Sequence, residues 1–269
     1  MPELPEVEIT CRGIAPHVTG RVIQAVTLRE PRLRWRVPAA VSTLVGRTIN
    51  SVKRRGKYIL FNCGDGHLIV HLGMSGSLRI LAPGVPPGKH DHFDLQVGDR
   101  LLRLRDPRRF GAVLWTTGDA SAHPLIAGLG IEPLSRAFDA HRLHSLTRGH
   151  DVAVKPFLMD AKKIVGVGNI YANESLFAAG INPHTRVGRL SAQRCARLVA
   201  AVKDTLKAAI RAGGSSLRDF VHSDGSSGCF QQDFLVYNRK GEPCRRCGAP
   251  VRRVLMGQRS TFYCAACQK

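Results

Sequence analysis

The chain has 269 residues, of which 43% are hydrophobic and 22% are charged. This composition is typical of a globular protein and excludes a chain that is disordered throughout. The most apolar run, Leu68–Leu72, is too short to span a membrane and contains His71. Forty Lys and Arg against 20 Asp and Glu give a formal net charge of +20, spread along the chain. Such an excess favours nucleic acid as a partner over an anionic membrane surface or a merely solubilising charge.

The first half of the chain is predicted to form one helix followed by many short strands. Pro5–Val18 is predicted to be helical, because proline suits a first turn and the neighbouring acids suit the positive helix end. The apolar segments that follow are separated by Gly and Pro, which predicts an antiparallel sandwich or barrel. The predicted strands are Arg21–Leu28, Lys57–Asn62, His67–Leu72, Leu78–Leu81, Phe93–Val97, Leu102–Arg105 and Ala112–Trp115.

Helical periodicity replaces the strand pattern from Lys155 onward, after a mixed segment at 119–150. Asn169 is the predicted N-cap of a helix ending at Ala179, and Ser191 is the predicted N-cap of a longer helix. A third short helix is predicted over Ser216–His222. We therefore expect a β-rich domain of residues 1–132, a helical domain of residues 133–228 and a cysteine module of residues 229–269.

The cysteine module consists of two Cys-x-x-Cys pairs with 16 residues between them. This spacing is typical of one zinc ion held between two knuckles, and four thiolates leave no open coordination position. We therefore expect one structural zinc ion per chain and no catalytic metal. The N-terminal sequence has neither the basic nor the apolar region of a signal peptide, so a reducing compartment is expected, where disulfides are rare. The predicted ligands are Cys244, Cys247, Cys264 and Cys267.

Pro2 is a candidate nucleophile, because removal of Met1 would leave a secondary amine at the chain end. An α-amino group has an ordinary pKa of about 8, so a neutral fraction exists at pH 7. Attack of this amine on the anomeric carbon of a sugar would give a cationic iminium, and Glu3 could act as the general acid. The same pair is also an ordinary start of a helix, so these residues alone leave both interpretations open.

Seven segments distributed along the whole chain carry a further signal. They are Met1–Glu8, Arg54–Tyr58, His71–Gly76, Lys89–His92, Asp106–Gly111, Gly166–Ala172 and Gln258–Cys264. In this order they resemble the bacterial formamidopyrimidine-DNA glycosylases, which repair 8-oxoguanine. The related endonuclease VIII branch typically has Gly where this chain has Leu4, so the resemblance favours the guanine-directed branch.

The resemblance implies an α+β multidomain fold. Its parts are an N-terminal antiparallel β-sandwich with flanking helices and a C-terminal helix-two-turn-helix domain with a four-cysteine zinc finger. It also implies a bifunctional glycosylase and abasic-site lyase that removes oxidised purines through a Schiff base and leaves a one-nucleotide gap by β,δ-elimination. The implied catalytic residues are Pro2, Glu3, Lys57 and Arg259.

The resemblance further implies how damaged DNA is held. Met74, Arg108 and Phe110 match the residues that fill the space left by the flipped nucleotide. His90, Lys155 and Asn169 match phosphate contacts.

The resemblance also implies two loops that contact DNA. A phosphate-contacting loop that often carries lysine in the family contains His150 here, so this contact would depend on pH. Residues 217–231 match the loop that caps the extruded base.

The expected partner is double-stranded DNA containing oxidised purines or abasic sites, bound by a monomer in the bacterial cytoplasm, at the nucleoid, with no membrane association. Two other functions fit parts of the sequence. A non-catalytic zinc-ribbon protein that binds nucleic acid would explain the charge and the cysteines. A nuclease using metal-bound water would need an open metal position, which four cysteine ligands do not offer.

Overall fold

The computed structural model describes residues 2–215 and 230–269, which divide into two units. The first unit comprises Met1–Gly128 and Ala212–Gln231, and the second comprises Leu129–Arg211 and Gln232–Lys269. The helix predicted over Ser216–His222 and most of the 217–231 loop lie outside the described residues. Within the described ranges, no helix is long and apolar enough to cross a membrane.

The first unit is a β-sandwich preceded by helix α1 (Leu4–Val18), which carries Pro5 in its first turn, as predicted. The strands are β1 (Ile23–Leu28), β2 (Ser51–Arg55), β3 (Tyr58–Asn62), β4 (Gly66–His71), β5 (Ser77–Leu81), β6 (Asp91–Val97), β7 (Arg100–Arg105) and β8 (Ala112–Thr117). They form two antiparallel sheets with the strand orders β1-β6-β7-β5 and β2-β3-β4-β8. One apolar cluster joins residues of both sheets with Val7 and Ile14 of α1.

All seven predicted strands are present in the sandwich, and β2 is an additional one. Its sequence, Ser-Val-Lys-Arg-Arg, has no apolar alternation because Lys53 is exposed and the other four residues are only partly buried. The strand is specified by its antiparallel pairing with β3, in which Ser51 is opposite Asn62 and Arg55 is opposite Tyr58. The short helix α2 (Pro124–Ala127) completes the elements that precede the second unit.

The second unit contains four helices and one hairpin among its described residues. Helix α6 (Ala192–Arg211) buries Leu198, Val202 and Leu206 on one face, and the Ser191 hydroxyl accepts a hydrogen bond from the Arg194 amide at 3.3 Å. The predicted cap at Ser191 is therefore confirmed. The elements are α3 (Ala140–Thr147), α4 (Val154–Met159), α5 (Asn169–Ala178), α6 (Ala192–Arg211), β9 (Arg252–Met256) and β10 (Arg259–Tyr263).

The predicted cap at Asn169 is wrong, because Asn169 is the first residue of α5 and Gly168 is the N-cap. The Asn169 amide group instead donates to the carbonyl oxygen of Ser260 at 3.1 Å. A hydrogen bond to a residue 91 positions further along the chain therefore replaces the local capping bond that the sequence suggested.

Candidate active site, DNA contacts and metal centre

The N-terminal segment that carries Pro2 and Glu3 is fixed by buried hydrogen bonds. Pro2 is buried, and Glu3 is the N-cap of α1 with 1% of its surface exposed. The Glu3 amide donates to Oε2 of Glu6 at 2.8 Å. Oε1 of Glu6 accepts from the amide and the hydroxyl of Ser215, at 2.9 and 3.2 Å. Glu6 thus holds the candidate nucleophile segment against the chain that follows α6.

Lys57 lies in the two-residue turn between β2 and β3, next to Gly56, whose φ is +59°. The turn is tied to α1, because Arg54 donates to Gly56 O at 3.1 Å and to Oε2 of Glu8 at 2.9 Å. The Lys57 charge lies near His71, since burial together with Lys57 and Arg34 lowers the His71 pKa to about 4. The structure therefore places Lys57 at the end of the sheet from which the Met74 turn departs.

Met74, Arg108 and Phe110 lie on two neighbouring turns, the Met74 turn (72–76) and the Arg108 turn (106–111). Met74 and Phe110 are large apolar side chains that remain 36% and 42% exposed. The Arg108 guanidinium lies 4.9 Å from the centre of the Phe110 ring. The turns touch through their backbones, because a Cβ on Gly73 would lie 2.4 Å from the Phe110 carbonyl carbon. The structure thus brings the three predicted void-filling residues into one exposed patch.

His90 lies close to the same turns. Its carbonyl oxygen accepts from the Asp106 amide at 2.9 Å, and its half-buried ring is 6.5 Å from the ring of His92. The His90 side chain is therefore partly exposed and lies beside the Arg108 turn.

Lys155 and Asn169 contact the finger backbone immediately after Arg259. Lys155 is 1% exposed, and its Nζ donates to Ser260 O at 3.1 Å and to Thr261 Oγ1 at 2.7 Å. Asn169 donates to the same Ser260 oxygen. Arg259 itself is exposed at the start of β10. These two predicted phosphate ligands therefore support the strand that presents Arg259.

His150 is half-buried and lies beside a lysine that the sequence reasoning did not select. The Nζ of Lys163 is 3.4 Å from His150 Nε2, and the His150 ring is 5.7 Å from the ring of Phe157. A lysine charge is therefore present next to this loop, supplied by a residue 13 positions further along the chain.

The four predicted cysteine ligands converge, with their Sγ atoms all within 4.8 Å of one another. Cys247 and Cys264 are separated by 3.5 Å between sulfurs, and Cys244 and Cys267 by 4.0 Å. A tetrahedral zinc with Zn–S bonds of about 2.3 Å requires sulfurs about 3.8 Å apart. The donor set therefore fits one structural zinc ion, as predicted.

Sequence reasoning did not find two buried residues of α5 that hold the finger. Oδ1 of Asn173 accepts from the Phe262 amide of β10 at 2.7 Å. The Glu174 carboxylate is 2% exposed and accepts three backbone amides. The only signal in the sequence is a polar Asn-Glu pair inside an apolar helix. The three donors are the amides of Leu235, Val236 and Tyr237, at 2.9, 3.0 and 2.8 Å.

The sandwich, the helical unit and the four-cysteine finger define a zinc-finger protein of the DNA-glycosylase class. Residues 1–113 match the formamidopyrimidine-DNA glycosylase N-terminal domain, residues 129–221 match the H2TH domain of the same enzymes, and residues 241–269 match the zinc finger found in FPG and IleRS. The chain therefore belongs to the formamidopyrimidine-DNA glycosylase family, which confirms the resemblance and the predicted fold.

Similar proteins cover the chain from end to end. The formamidopyrimidine-DNA glycosylase of Aromatoleum aromaticum is 58% identical, with 100% of both chains covered. The MutM (Fpg) protein of Thermus thermophilus has a TM-score of 0.90 at 37% identity, covering 99% of this chain and 98% of that one. A Lactococcus lactis Fpg mutant in complex with Fapy-dG-containing DNA has a TM-score of 0.92 at 33% identity, with 100% of both chains covered.

Proposed function

We propose that the chain is a bifunctional DNA glycosylase and abasic-site lyase of base-excision repair. Its substrates are 8-oxoguanine and formamidopyrimidines in double-stranded DNA. Identity of 58% over the full length to a formamidopyrimidine-DNA glycosylase supports this proposal most strongly. The buried anchoring of the Pro2-Glu3 segment also supports it, because a nucleophile must be held in a defined position.

In the proposed reaction the Pro2 nitrogen, free once Met1 is removed, forms a bond to C1′ of the damaged nucleotide. The glycosidic bond breaks, and the base leaves with its electron pair and takes up the proton that the Pro2 nitrogen loses. Glu3 protonates the ring oxygen, so that the sugar opens to an iminium. The iminium acidifies the C2′ proton, and its loss expels the 3′ phosphate in the β-elimination. A second elimination expels the 5′ phosphate and leaves a one-nucleotide gap.

Lys57 and Arg259 are proposed to bind the phosphates that flank the reacting sugar. Lys57 serves this role from its turn beside the Met74 turn. Arg259 carries a permanent positive charge, so it stabilises the leaving phosphate of the second elimination as a charge rather than as a proton donor. Its position on the zinc-bound hairpin explains why a structural metal would be needed for strand cleavage.

The damaged base must leave the stack before Pro2 can reach its sugar. We propose that Met74 and Phe110 enter the vacated space and that Arg108 faces the widowed cytosine. Apolar side chains inserted between base steps compensate part of the unstacking cost.

The remaining contacts are proposed from position and charge. His90, Asn169 and His150 contact phosphates, with Lys163 strengthening the contact at His150, and residues 217–231 cap the extruded base. The modules would act as a catalytic β-sandwich domain (1–132), a helix-two-turn-helix DNA-binding domain (133–228) and a zinc finger (229–269). We expect a monomer acting on nucleoid DNA in the bacterial cytoplasm.

The test is single-turnover cleavage of an 8-oxoguanine duplex and of an abasic duplex. The protein should leave phosphate at both ends of a one-nucleotide gap in each substrate. Glu3→Gln should lose excision of the intact lesion while retaining more cleavage of the abasic site, because an abasic sugar opens to its aldehyde without a proton from Glu3. Binding without cleavage would support a zinc-ribbon binding protein instead. Cleavage that depends on added metal would support a nuclease.

A further inference from the structure

Asp106 is completely buried, with 0% of its surface exposed, and lies between the Met74 turn and the Arg108 turn. Its Oδ1 accepts the Ser75 hydroxyl at 2.8 Å, and its Oδ2 accepts the Gly111 amide at 2.7 Å. Each carboxylate oxygen therefore holds a different turn. In the described part of the chain, the Asp106 carboxylate accepts one hydroxyl and one backbone amide and makes no ion pair. The His92 ring contacts the Asp106 carbonyl oxygen at 2.9 Å. Burial of a carboxylate without a cationic partner costs stability, and its two hydrogen bonds compensate that cost only in part.

The same hydrogen bonds reach the side chains on both turns. Ser75, next to Met74, also accepts the Arg108 amide on its hydroxyl oxygen at 3.2 Å. The carbonyl oxygen of Asp106 accepts the amide of Arg109 at 3.2 Å. Arg109 has a φ of 56°, a left-handed conformation that non-glycine residues rarely adopt. Asp106 therefore determines the backbone at Arg108 through both its side chain and its carbonyl group.

Close backbone packing leaves the two turns no room to move separately. Gly73 has a φ of +66°, and a Cβ there would overlap the Phe110 backbone. A Cβ on Gly111 would lie 2.7 Å from the His71 carbonyl oxygen and 3.0 Å from Asp106 Oδ2. Displacement of one turn would therefore displace the other.

We propose that Asp106 is a positioning residue that presents Met74 and the Arg108–Phe110 pair as one preformed wedge. This inference rests on the proposed function of these three side chains. With the turns already ordered, extrusion of the damaged nucleotide does not require them to be immobilised during binding. Asp106 would then promote the opening of the duplex without touching DNA or the reacting atoms.

Two substitutions interrupt this arrangement to different degrees. Asp106→Asn keeps the volume but supplies one acceptor oxygen, so it cannot accept from both Ser75 and Gly111. Ser75→Ala leaves Asp106 in place and removes the link to the Arg108 amide. Asp94→Asn is the matched control, because Asp94 is also buried in the sandwich, at 3% exposure, but pairs with Arg103 away from both turns.

The experiment measures single-turnover cleavage of lesion-containing and abasic duplexes together with the melting temperature. We expect Asp106→Asn and Ser75→Ala each to lower the cleavage rate of the lesion duplex by about tenfold relative to the cleavage rate of the abasic duplex. Asp94→Asn should lower the melting temperature and leave the ratio of the two rates unchanged. Met74→Ala should lower the cleavage rate of the lesion duplex several-fold in the wild-type background. After Ser75→Ala it should lower that rate only slightly, because a displaced Met74 side chain no longer contributes to extrusion.

An unchanged ratio of rates in folded Asp106→Asn and Ser75→Ala would overturn the positioning role, as would full additivity with Met74→Ala. Should Asp106→Asn fail to fold, Ser75→Ala carries the test. A wild-type protein that cleaves neither duplex would instead contradict the proposed function, so the two failures are distinguishable.

Discussion

Substitution of Lys155 separates two functions that this side chain could have. The sequence resemblance makes Lys155 a DNA-phosphate contact, whereas the structure buries its ammonium group against Ser260 and Thr261 of the finger. Lys155→Met removes the charge and keeps most of the aliphatic stem. Thr261→Val removes one acceptor of the ammonium with little change in shape and leaves the Lys155 charge intact.

The structure sets the size of the expected effect. After Lys155→Met, the Ser260 carbonyl keeps its bond from Asn169, and Thr261 loses its donor. Loss of a charge-assisted bond is partly offset by no longer burying an ammonium group, so we expect a net cost of about 1–3 kcal/mol in the free energy of unfolding. For Thr261→Val we expect about 1–3 kcal/mol as well, because the buried ammonium loses an acceptor.

The assay combines urea unfolding with DNA affinity measured across a range of salt concentrations. If Lys155 acts through the finger, both variants should lose stability and form less of the δ-elimination product. Both should then keep the wild-type slope of log affinity against log salt. A direct phosphate contact would instead reduce that slope by about one unit for Lys155→Met alone. That result would refute the inference drawn from the buried geometry.

Three further outcomes are expected. Cys247→Ser should reduce the zinc content from one ion per chain and abolish DNA binding and cleavage together, because metal affinity here is folding energy; a metal-free variant that cuts normally would contradict this. Met74→Ala and Phe110→Ala should slow cleavage of a lesion duplex more than of an abasic one, and equal losses would assign both residues to packing. The folded-state pKa of His71, about 4, lies below its ordinary value of 6.5. Below pH 6.5 the unfolded chain binds a proton at His71 that the folded protein does not. The contribution of His71 to the free energy of unfolding is therefore complete above pH 6.5 and falls by up to about 1.4 kcal/mol per pH unit as the pH drops toward 4. The Gly73 amide donates to Nδ1 of His71 at 2.9 Å. His71→Asn keeps an acceptor for that amide and should flatten the pH dependence in urea unfolding between pH 5 and 7.5; an unchanged dependence would argue against this role of His71.

Local patterns in the sequence were sufficient to predict most elements and the zinc ligands. Alternating apolar residues identify a strand wherever one face is buried, and Cys-x-x-Cys spacing fixes the positions of two thiolates within a single turn. Strand β2 was not predicted because Lys53 is exposed, Arg54 and Arg55 are partly buried, and none of the three gives an apolar signal. Its position depends on pairing with β3, which sequence pattern does not encode.

The polar contacts that hold the candidate site were not predictable for a different reason. Their partners are distant in the chain, as in the bond from Ser215 to Glu6, which spans 209 residues. Asp106 sits in a motif that the resemblance assigned to DNA contact, yet its carboxylate faces the protein interior. A buried polar residue shows in sequence only that it needs a partner, whereas the fold determines which partner it has.

Borohydride trapping followed by peptide mapping decides whether Pro2 is the nucleophile, as proposed. The protein is incubated with an 8-oxoguanine duplex, reduced, digested and examined by mass spectrometry. We expect the DNA adduct on an N-terminal peptide beginning with Pro2. We also expect that Pro2→Gly, or a retained residue ahead of Pro2, greatly reduces trapping while DNA binding survives. An adduct on Lys57, or full trapping by protein with a blocked N-terminus, would contradict this role of Pro2.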